Sequence, residues 1–149
     1  MSRNVNSKDT GDESEVAILQ ALISAGYSVS IPFGDNDKYD LVVDDGETFQ
    51  RVQCKTGWLE DECVRFKTCS KTTVNGEVAR VDYEDEIEAF AVRCKDTGKV
   101  YWVPEEDAGQ KNTYLRVVDP KIDHPSVNLA SEYEFDGEIP SSPVVSVSE

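Results

Sequence analysis

The sequence predicts a mixed α/β fold in which one N-terminal helix packs on a β-sheet. Three observations support this prediction. A capped apolar stripe indicates a helix over residues 12–25, alternating apolar residues indicate two hairpins at 39–55 and 88–103, and 149 residues suffice for one sizeable core but hardly for two. Only 38% of the residues are hydrophobic, yet regular apolar periodicity argues against disorder.

The helix prediction begins at Thr10-Gly-Asp-Glu13, which fits a capping box. We therefore expect a helix from Asp12 to Ala25, ended by Gly26 in a left-handed conformation. Its apolar residues Ile18, Leu19, Leu22 and Ile23 form one stripe. At about 100° per residue, Glu15 falls in the middle of that stripe, where an unpaired carboxylate is costly.

The next segments indicate strands joined by turns. Residues 27–33 form a short strand ending at Pro32, and the strands at 39–43 and 48–55 form a hairpin around Asp45-Gly46. A two-residue loop would pair Asp40 with Arg51 and make Asp40 and Gln53 diagonal neighbours. Alternation then places one polar set on a single face: Asp40, Arg51, Gln53 and Lys55.

The remaining segments predict four further strands and a short helix. A strand is expected at 63–69, a polar loop at 70–86, a second hairpin at 88–94 and 99–103, a short helix at 104–107 and a last strand at 113–118. We expect a flexible N-terminus at 1–9, one domain at 10–135 and a flexible tail at 136–149.

The composition limits the classes of function. Thirty acids against 15 bases give a net charge of −15, which excludes a generally basic coat for nucleic acid but not a local basic patch. Dispersed acids predict adaptation to concentrated salt, where the Debye length falls to about 3 Å at 1 M; the alternative is an ordinary acidic protein. No run approaches the roughly 20 apolar residues of a membrane span, and no signal peptide is evident. The four cysteines are expected to be free thiols in a reducing cytoplasm.

Four polar positions form a set suited to a divalent cation. Glu15, Asp40 and Gln53 supply the hard oxygen ligands that Mg²⁺ prefers. Lys55 follows Gln53 on the same strand face and can stabilise charge on a phosphoryl group or orient a water, as phosphodiester hydrolysis requires. The spacing alone also fits a hairpin with polar residues on a solvated face.

Several motifs favour a divalent cation site over a solvated polar face. They are Gly11–Glu15, Ile31–Asn36, Tyr39–Val43, Arg51–Gly57, Arg65–Ser70, Ala89–Val92 and Val100–Pro104. Together they resemble the PD-(D/E)XK nuclease superfamily, and within it the group that includes endonucleases encoded by group I introns. The resemblance covers about residues 10–118 and implies a restriction-endonuclease-like α/β core, with a mixed central sheet, an N-terminal helix and flanking helices.

The resemblance also implies roles for individual residues. By position, Glu15, Asp40, Gln53 and the backbone carbonyl of Cys54 would hold Mg²⁺, with Mn²⁺ as a possible substitute, and Lys55 would be the catalytic lysine. Gln53 stands where most relatives have Glu or Asp. Because a neutral amide attracts a cation less strongly, we expect weaker metal binding.

Basic residues are concentrated around the lysine strand. Five of the 15 bases fall within 21 residues, namely Arg51, Lys55, Arg65, Lys67 and Lys71. All but Lys55 are candidate contacts to a DNA backbone, although Arg65 and Lys67 would also suit a solvated strand face. Trp58 could stack on a base but is expected to lie in the core.

The function implied is a metal-dependent DNA endonuclease of the homing type or a related nuclease, cytoplasmic, with DNA but no membrane as partner. Recognition of a long site favours a homodimer or homotetramer. A Holliday-junction-resolvase-like or repair nuclease is an alternative with the same chemistry. Gln53 favours a non-catalytic DNA-binding module, and an acidic protein-interaction domain remains a third interpretation.

Overall fold

The described part of the chain consists of one helix followed by nine strands. The computed structural model describes residues 7–34, 37–68, 70–74, 77–81, 86–109, 111–117 and 128–139. The elements are α1 (Ser7–Ser24), β1 (Ser28–Ser30), β2 (Leu41–Asp44), β3 (Phe49–Glu60), β4 (Cys63–Lys67), β5 (Ser70–Val74), β6 (Glu77–Val81), β7 (Ala89–Cys94), β8 (Lys99–Pro104) and β9 (Asn112–Arg116). Two short 3-10 helices lie at Glu105–Asp107 and Ala130–Glu132. The predicted α/β class is confirmed.

Helix α1 begins earlier than predicted. It starts at Ser7 rather than Asp12, so the predicted capping box lies inside the helix. Its end is as expected. Gly26 has a φ of +97°, and its N–H donates to the Ile23 carbonyl at 3.0 Å while the Tyr27 N–H donates to the Leu22 carbonyl at 3.1 Å, a Schellman motif. No helix within the described ranges has the length and apolar character needed to cross a membrane.

Seven of the described strands form one mixed sheet. The order β1-β2-β3-β4-β9 is antiparallel throughout, while β7 pairs with β3 in parallel and with β8 in antiparallel. Strands β5 and β6 form a separate hairpin, so the loop predicted at 70–86 is wrong there. The β-branched residues of 72–74 and Val78 explain this pairing despite the polar composition. Residues 69, 75–76 and 82–85 lie outside the described ranges.

Strand β3 organises the sheet because it has three partners along its 12 residues. It pairs with β2 over 49–52, with β7 over 52–57 and with β4 over 58–60. The turn into β4 consists of Asp61 and Glu62, with φ of 53° and 64°, as in a type I′ hairpin. This strand continues past its predicted end at Lys55, and its hairpin with β4 was not predicted.

The β2–β3 hairpin is offset by two residues from the predicted register. Val42 pairs with Arg51, which leaves a four-residue turn at 45–48. The Asp45 carboxylate closes that turn by accepting hydrogen bonds from the N–H groups of Glu47 and Thr48 at 2.9 and 2.7 Å. Because side chains alternate with period two, an offset of two leaves the predicted faces of the strands unchanged.

The sheet has an apolar core on each face. One core lies under α1 and comprises Ile18, Leu22, Leu41, Val43, Val52, Ala89, Ala91 and Trp102. The other is enclosed by β4 and β9 and comprises Val64, Phe66, Ile87, Phe90, Val92, Cys94, Tyr101, Val103, Leu115 and Ala130. Strands β7 and β8 thus contribute side chains to both cores. Strand β3 contributes Val52 to the core under α1, which fixes its position relative to the helix.

Residues 133–139 form hydrogen bonds to β8 and to a residue that follows the end of α1. The Tyr133 carbonyl accepts a hydrogen bond from the Trp102 N–H at 2.7 Å, and the Phe135 N–H donates to the Val100 carbonyl at 2.8 Å. The Ile139 N–H donates to the Tyr27 hydroxyl at 2.8 Å. Residues 136–139 are therefore tied to the domain, and residues 140–149 of the predicted tail lie outside the described ranges, as do residues 1–6.

Replacement of Gly57 by alanine should lower the free energy of unfolding by about 1–3 kcal/mol. A Cβ there would lie 2.9 Å from Cγ1 of Val92 and 3.0 Å from Cγ1 of Val64, so the core between β3, β4 and β7 would have to shift. Gly11→Ala is the matched control, since a Cβ at that helical position meets nothing within 4 Å and should stabilise by about 0.5–1 kcal/mol. Urea unfolding of both variants measures the two effects. Equal stability of Gly57→Ala and wild type would contradict this packing.

Candidate active site

Asp40 lies where β2 and β3 separate. Its N–H donates to the Val52 carbonyl at 2.8 Å, one residue before β2 begins. Its Oδ2 atom accepts two hydrogen bonds, from the Cys54 N–H at 2.9 Å and from Nε2 of Gln53 at 3.0 Å. The carboxylate therefore accepts a backbone hydrogen bond that a neighbouring strand would otherwise accept from β3. The predicted proximity of Asp40 and Gln53 is observed, but their side chains are joined by a hydrogen bond instead of lying as diagonal neighbours.

The backbone of Cys54 faces the same edge of β3 as Asp40. In a strand the N–H and C=O of one residue point to the same side, so the Cys54 carbonyl points toward the edge where its N–H meets Asp40. The opposite edge of β3 is occupied by β7. The Cys54 side chain packs against the core under α1, and the pKa of its thiol is raised by burial and by Asp40 and Glu15. Cys54 thus offers a carbonyl oxygen and a protonated thiol.

Glu15 approaches the same place from the helix. Among residues 10–24 of α1, whose burial is described, the buried ones are Ser14, Ile18 and Leu22. Glu15 therefore lies about 60° from the centre of the buried stripe, at 100° per residue. It is half-buried, at the edge of the stripe rather than in its middle as predicted. Its pKa is raised by burial and by the negative charges of Asp40 and Asp12.

The carboxylates of Glu15 and Asp40 are both partly buried and lie close enough to repel each other. The pKa of Asp40 is raised by burial, and the Cys54 N–H and the Lys55 ammonium partly oppose that rise. Burial and mutual repulsion both disfavour two negative charges here. A cation near Glu15 and Asp40 would relieve that repulsion, and Lys55 supplies one positive charge already.

The donor set fits a hard divalent cation. Glu15, Asp40, the Gln53 amide and the Cys54 carbonyl all offer oxygen, the ligand type that Mg²⁺ prefers. Within the described ranges no three His, Cys, Asp or Glu side chains lie together so as to hold a metal, as expected for a set with only two acids. In this structure Gln53 turns its nitrogen toward Asp40. To act as a ligand, the amide must rotate by half a turn and present Oε1.

The four candidate DNA contacts lie in different environments. Arg51 is paired with Glu88, with 2.5 Å between Nη2 and Oε2. Arg65 is paired with Glu60 over the same distance. Lys67 is exposed at the end of β4, whereas Lys71 is placed in β5 and its side chain is not among the described ones. Two of the four predicted basic contacts are therefore engaged by acids of this chain.

Trp58 lies beside Arg65 rather than in the core. The tryptophan is half-buried, and the Arg65 guanidinium lies 5.4 Å from its ring centre and 5.4 Å from the ring centre of Tyr114. The three residues are directly opposite one another on β3, β4 and β9. The expectation that Trp58 fills the core is wrong, because Trp58 lies in the end of β3 that pairs with β4 and that the helix does not cover.

Sequence reasoning missed a pair of hydroxyls that joins the helix to β3. Oγ of Ser14 and Oγ1 of Thr56 lie 2.6 Å apart, and Ser14 is buried. Ser14 precedes Glu15 and Thr56 follows Lys55, so this bond fixes the helix acid relative to the lysine strand. Its only trace in the sequence is a polar residue four positions before Ile18, within the buried stripe.

Comparisons with known proteins found a matching family model and a similar solved structure. The chain matches a family model described as PD-(D/E)XK endonuclease over residues 5–136. Its structure resembles that of the bacterial homing endonuclease I-Ssp6803I with a TM-score of 0.71 and 20% sequence identity, covering 87% of this chain and 89% of that one. At this identity the likeness establishes a shared restriction-endonuclease-like fold. Comparison with curated proteins gives no significant match.

Proposed function

Because this chain belongs to the PD-(D/E)XK endonuclease family, we propose that it is a metal-dependent DNA endonuclease that hydrolyses phosphodiester bonds with Mg²⁺. The observation that supports this most directly is the Asp40 carboxylate, held at the fork of β2 and β3 by Gln53 and the Cys54 N–H. Glu15 and Lys55 act electrostatically on the same centre. Mn²⁺ is the expected substitute for Mg²⁺.

In this proposal the ligands are Glu15, Asp40, the Gln53 amide oxygen and the Cys54 carbonyl. A bound divalent metal polarises the phosphate and activates a water. The Cys54 N–H fixes the orientation of the Asp40 carboxylate before substrate arrives. The Lys55 ammonium stabilises negative charge that develops on the phosphoryl oxygens, or orients the attacking water.

The type of endonuclease is part of the proposal. The shared fold with a homing endonuclease favours a homing-type activity. We propose a homodimer or homotetramer because recognition of a long site needs more than one copy of a small chain, and we propose that it acts in the cytoplasm. A Holliday-junction-resolvase-like or repair nuclease would use the same residues on branched or damaged DNA. Arg51, Arg65, Lys67 and Lys71 are proposed as contacts to the DNA backbone.

A non-catalytic DNA-binding module is the second candidate function. The observation in its favour is the hydrogen bond from Gln53 to Asp40, since an amide in this position satisfies the carboxylate without any metal. Such a protein would bind DNA yet gain little stability from Mg²⁺ or Mn²⁺.

A cleavage screen tests the proposal. Purified protein is incubated with duplex, junction, flap and single-stranded DNA in Mg²⁺, Mn²⁺ or EDTA, at low and high KCl. We expect cleavage that requires a divalent metal and that leaves internal nicks or breaks. Cleavage of none of these substrates, together with DNA binding and no stabilisation by metal, would favour the non-catalytic module. Absence of both binding and cleavage would contradict both functions.

A further inference from the structure

A small cleft lies between the start of α1 and the ends of β3 and β7. Its polar lining consists of Thr10, Glu13, Ser14, Thr56, Arg93 and Lys95. It thus combines two cations and three hydroxyls with one carboxylate. In a chain with net charge −15, such a local excess of cations over acids needs an explanation.

The face of β7 that is turned toward the helix places Arg93 in this cleft. Ala89 and Ala91 precede it on that face and are buried in the core under α1. Thr56 lies directly opposite Arg93 across the parallel pair of β3 and β7. The guanidinium donates to the Gly98 carbonyl at 2.8 Å through Nη1, which orients it while using one of its five N–H groups.

Lys95 adds a second cation whose present partner is easily exchanged. Its Nζ lies 3.1 Å from Oε1 of Glu13, and the two side chains are 67% and 56% exposed. Exposed ion pairs of this kind contribute about 0–1 kcal/mol. A phosphodiester of a polyanionic DNA backbone can therefore take the place of Glu13 at little cost.

The hydroxyls suit a tetrahedral oxyanion. Ser14 and Thr56 share one hydrogen bond of 2.6 Å, and a hydroxyl can both donate and accept. Thr56 shares its strand face with Cys54, which is turned toward α1, whereas Lys55 lies on the opposite face. Arg93 lies on β7, along the edge of β3 opposite Asp40, so a phosphate bound in the cleft is a different one from the phosphate that is cleaved.

We propose that this cleft binds a DNA backbone phosphate other than the one that is cleaved, through Arg93 and Lys95 with help from the Ser14 and Thr56 hydroxyls. This inference rests on the proposed function. In it, Glu13 is a competitor that occupies Lys95 until DNA arrives. Arg93 and Lys95 are binding residues and touch no reacting atom.

The test measures DNA affinity without cleavage, in EDTA, over a series of KCl concentrations. A fluorescent duplex of about 30 base pairs is the probe. Lys95→Gln and Arg93→Gln should each raise Kd about three- to tenfold and reduce the slope of log K against log [KCl] by about 1. Glu13→Gln should act in the opposite direction and lower Kd, because it removes the competing carboxylate.

The pair Lys99 and Glu134 on and near β8 provides matched controls. Their charged atoms are also 3.1 Å apart, so Lys99→Gln and Glu134→Gln change the net charge equally without touching the cleft. Thermal unfolding confirms that all five variants are folded. Unchanged Kd and slope in Lys95→Gln and Arg93→Gln, or equal weakening by Lys95→Gln and Glu13→Gln, would overturn the cleft proposal alone. A wild-type protein that neither binds nor cleaves DNA would overturn the proposed function as well.

Discussion

Lys55→Ala should lower the rate of DNA cleavage by at least about 100-fold while the protein still binds metal and DNA. Removal of one group that stabilises developing negative charge reduces enzymatic rates by about 10²–10³. The Lys55 ammonium already lowers the pKa of Asp40, so it lies close to the proposed metal ligands without being one of them. The effect should therefore fall on the chemical step.

Asp40→Asn should also abolish cleavage, but for a different reason. Asparagine can still accept the Cys54 N–H, yet it lacks the charge needed to hold a divalent cation at a site with only two acids. Isothermal titration with Mn²⁺ separates the two roles. Lys55→Ala should retain metal binding, whereas Asp40→Asn should lose most of it.

Lys99→Ala is the matched control for Lys55→Ala, because its ammonium pairs with Glu134 on the opposite side of the β7–β8 hairpin from β3. It should cleave DNA at the wild-type rate. Cleavage by folded Lys55→Ala and Asp40→Asn at rates within a factor of three of wild type would contradict the site assignment. Thermal unfolding provides the check that each variant is folded.

The arrangement of the candidate site was more predictable than the register that produces it. The sequence placed Asp40, Gln53 and Lys55 on one face of a hairpin, and this survives the two-residue offset because the side-chain period is two. The turn itself was mispredicted, since Asp45 closes a four-residue loop through its own carboxylate. The face to which a strand residue points follows from local alternation. The register of the hairpin depends instead on the length of the turn, which the Asp45 carboxylate sets through its hydrogen bonds.

Features that depend on contacts between distant segments could not be predicted from the sequence. The pairings of Arg51 with Glu88 and of β3 with β7 bring together residues about 37 positions apart. The alternation of apolar residues in each strand says nothing about its partner. The sequence predicted Glu15 near the buried stripe of α1 because helical periodicity, like strand alternation, is a local property. The distance of Glu15 from the centre of that stripe depends on how the helix packs on the sheet, which is not local.

Gln53→Glu should tighten Mg²⁺ binding by about tenfold, equivalent to about 1.4 kcal/mol. The variant places a third carboxylate at the centre and removes the amide donor that now satisfies Oδ2 of Asp40 at 3.0 Å. In the metal-free protein, the new charge repels Asp40 and should lower thermal stability. Added Mg²⁺ should reverse this loss, because the cation neutralises the carboxylates and ligand binding stabilises the folded state according to its affinity.

Gln20→Glu is the matched control, since it makes the same chemical change on the exposed face of α1. Calorimetric titration and the Mg²⁺ dependence of the melting temperature should shift in Gln53→Glu and remain unchanged in Gln20→Glu. Identical Mg²⁺ affinities of wild type and Gln53→Glu would contradict a ligand role for residue 53. Cleavage by Gln53→Glu alone, with an inactive wild type, would instead support the non-catalytic module, because a single amide would then separate a DNA-binding protein from a nuclease.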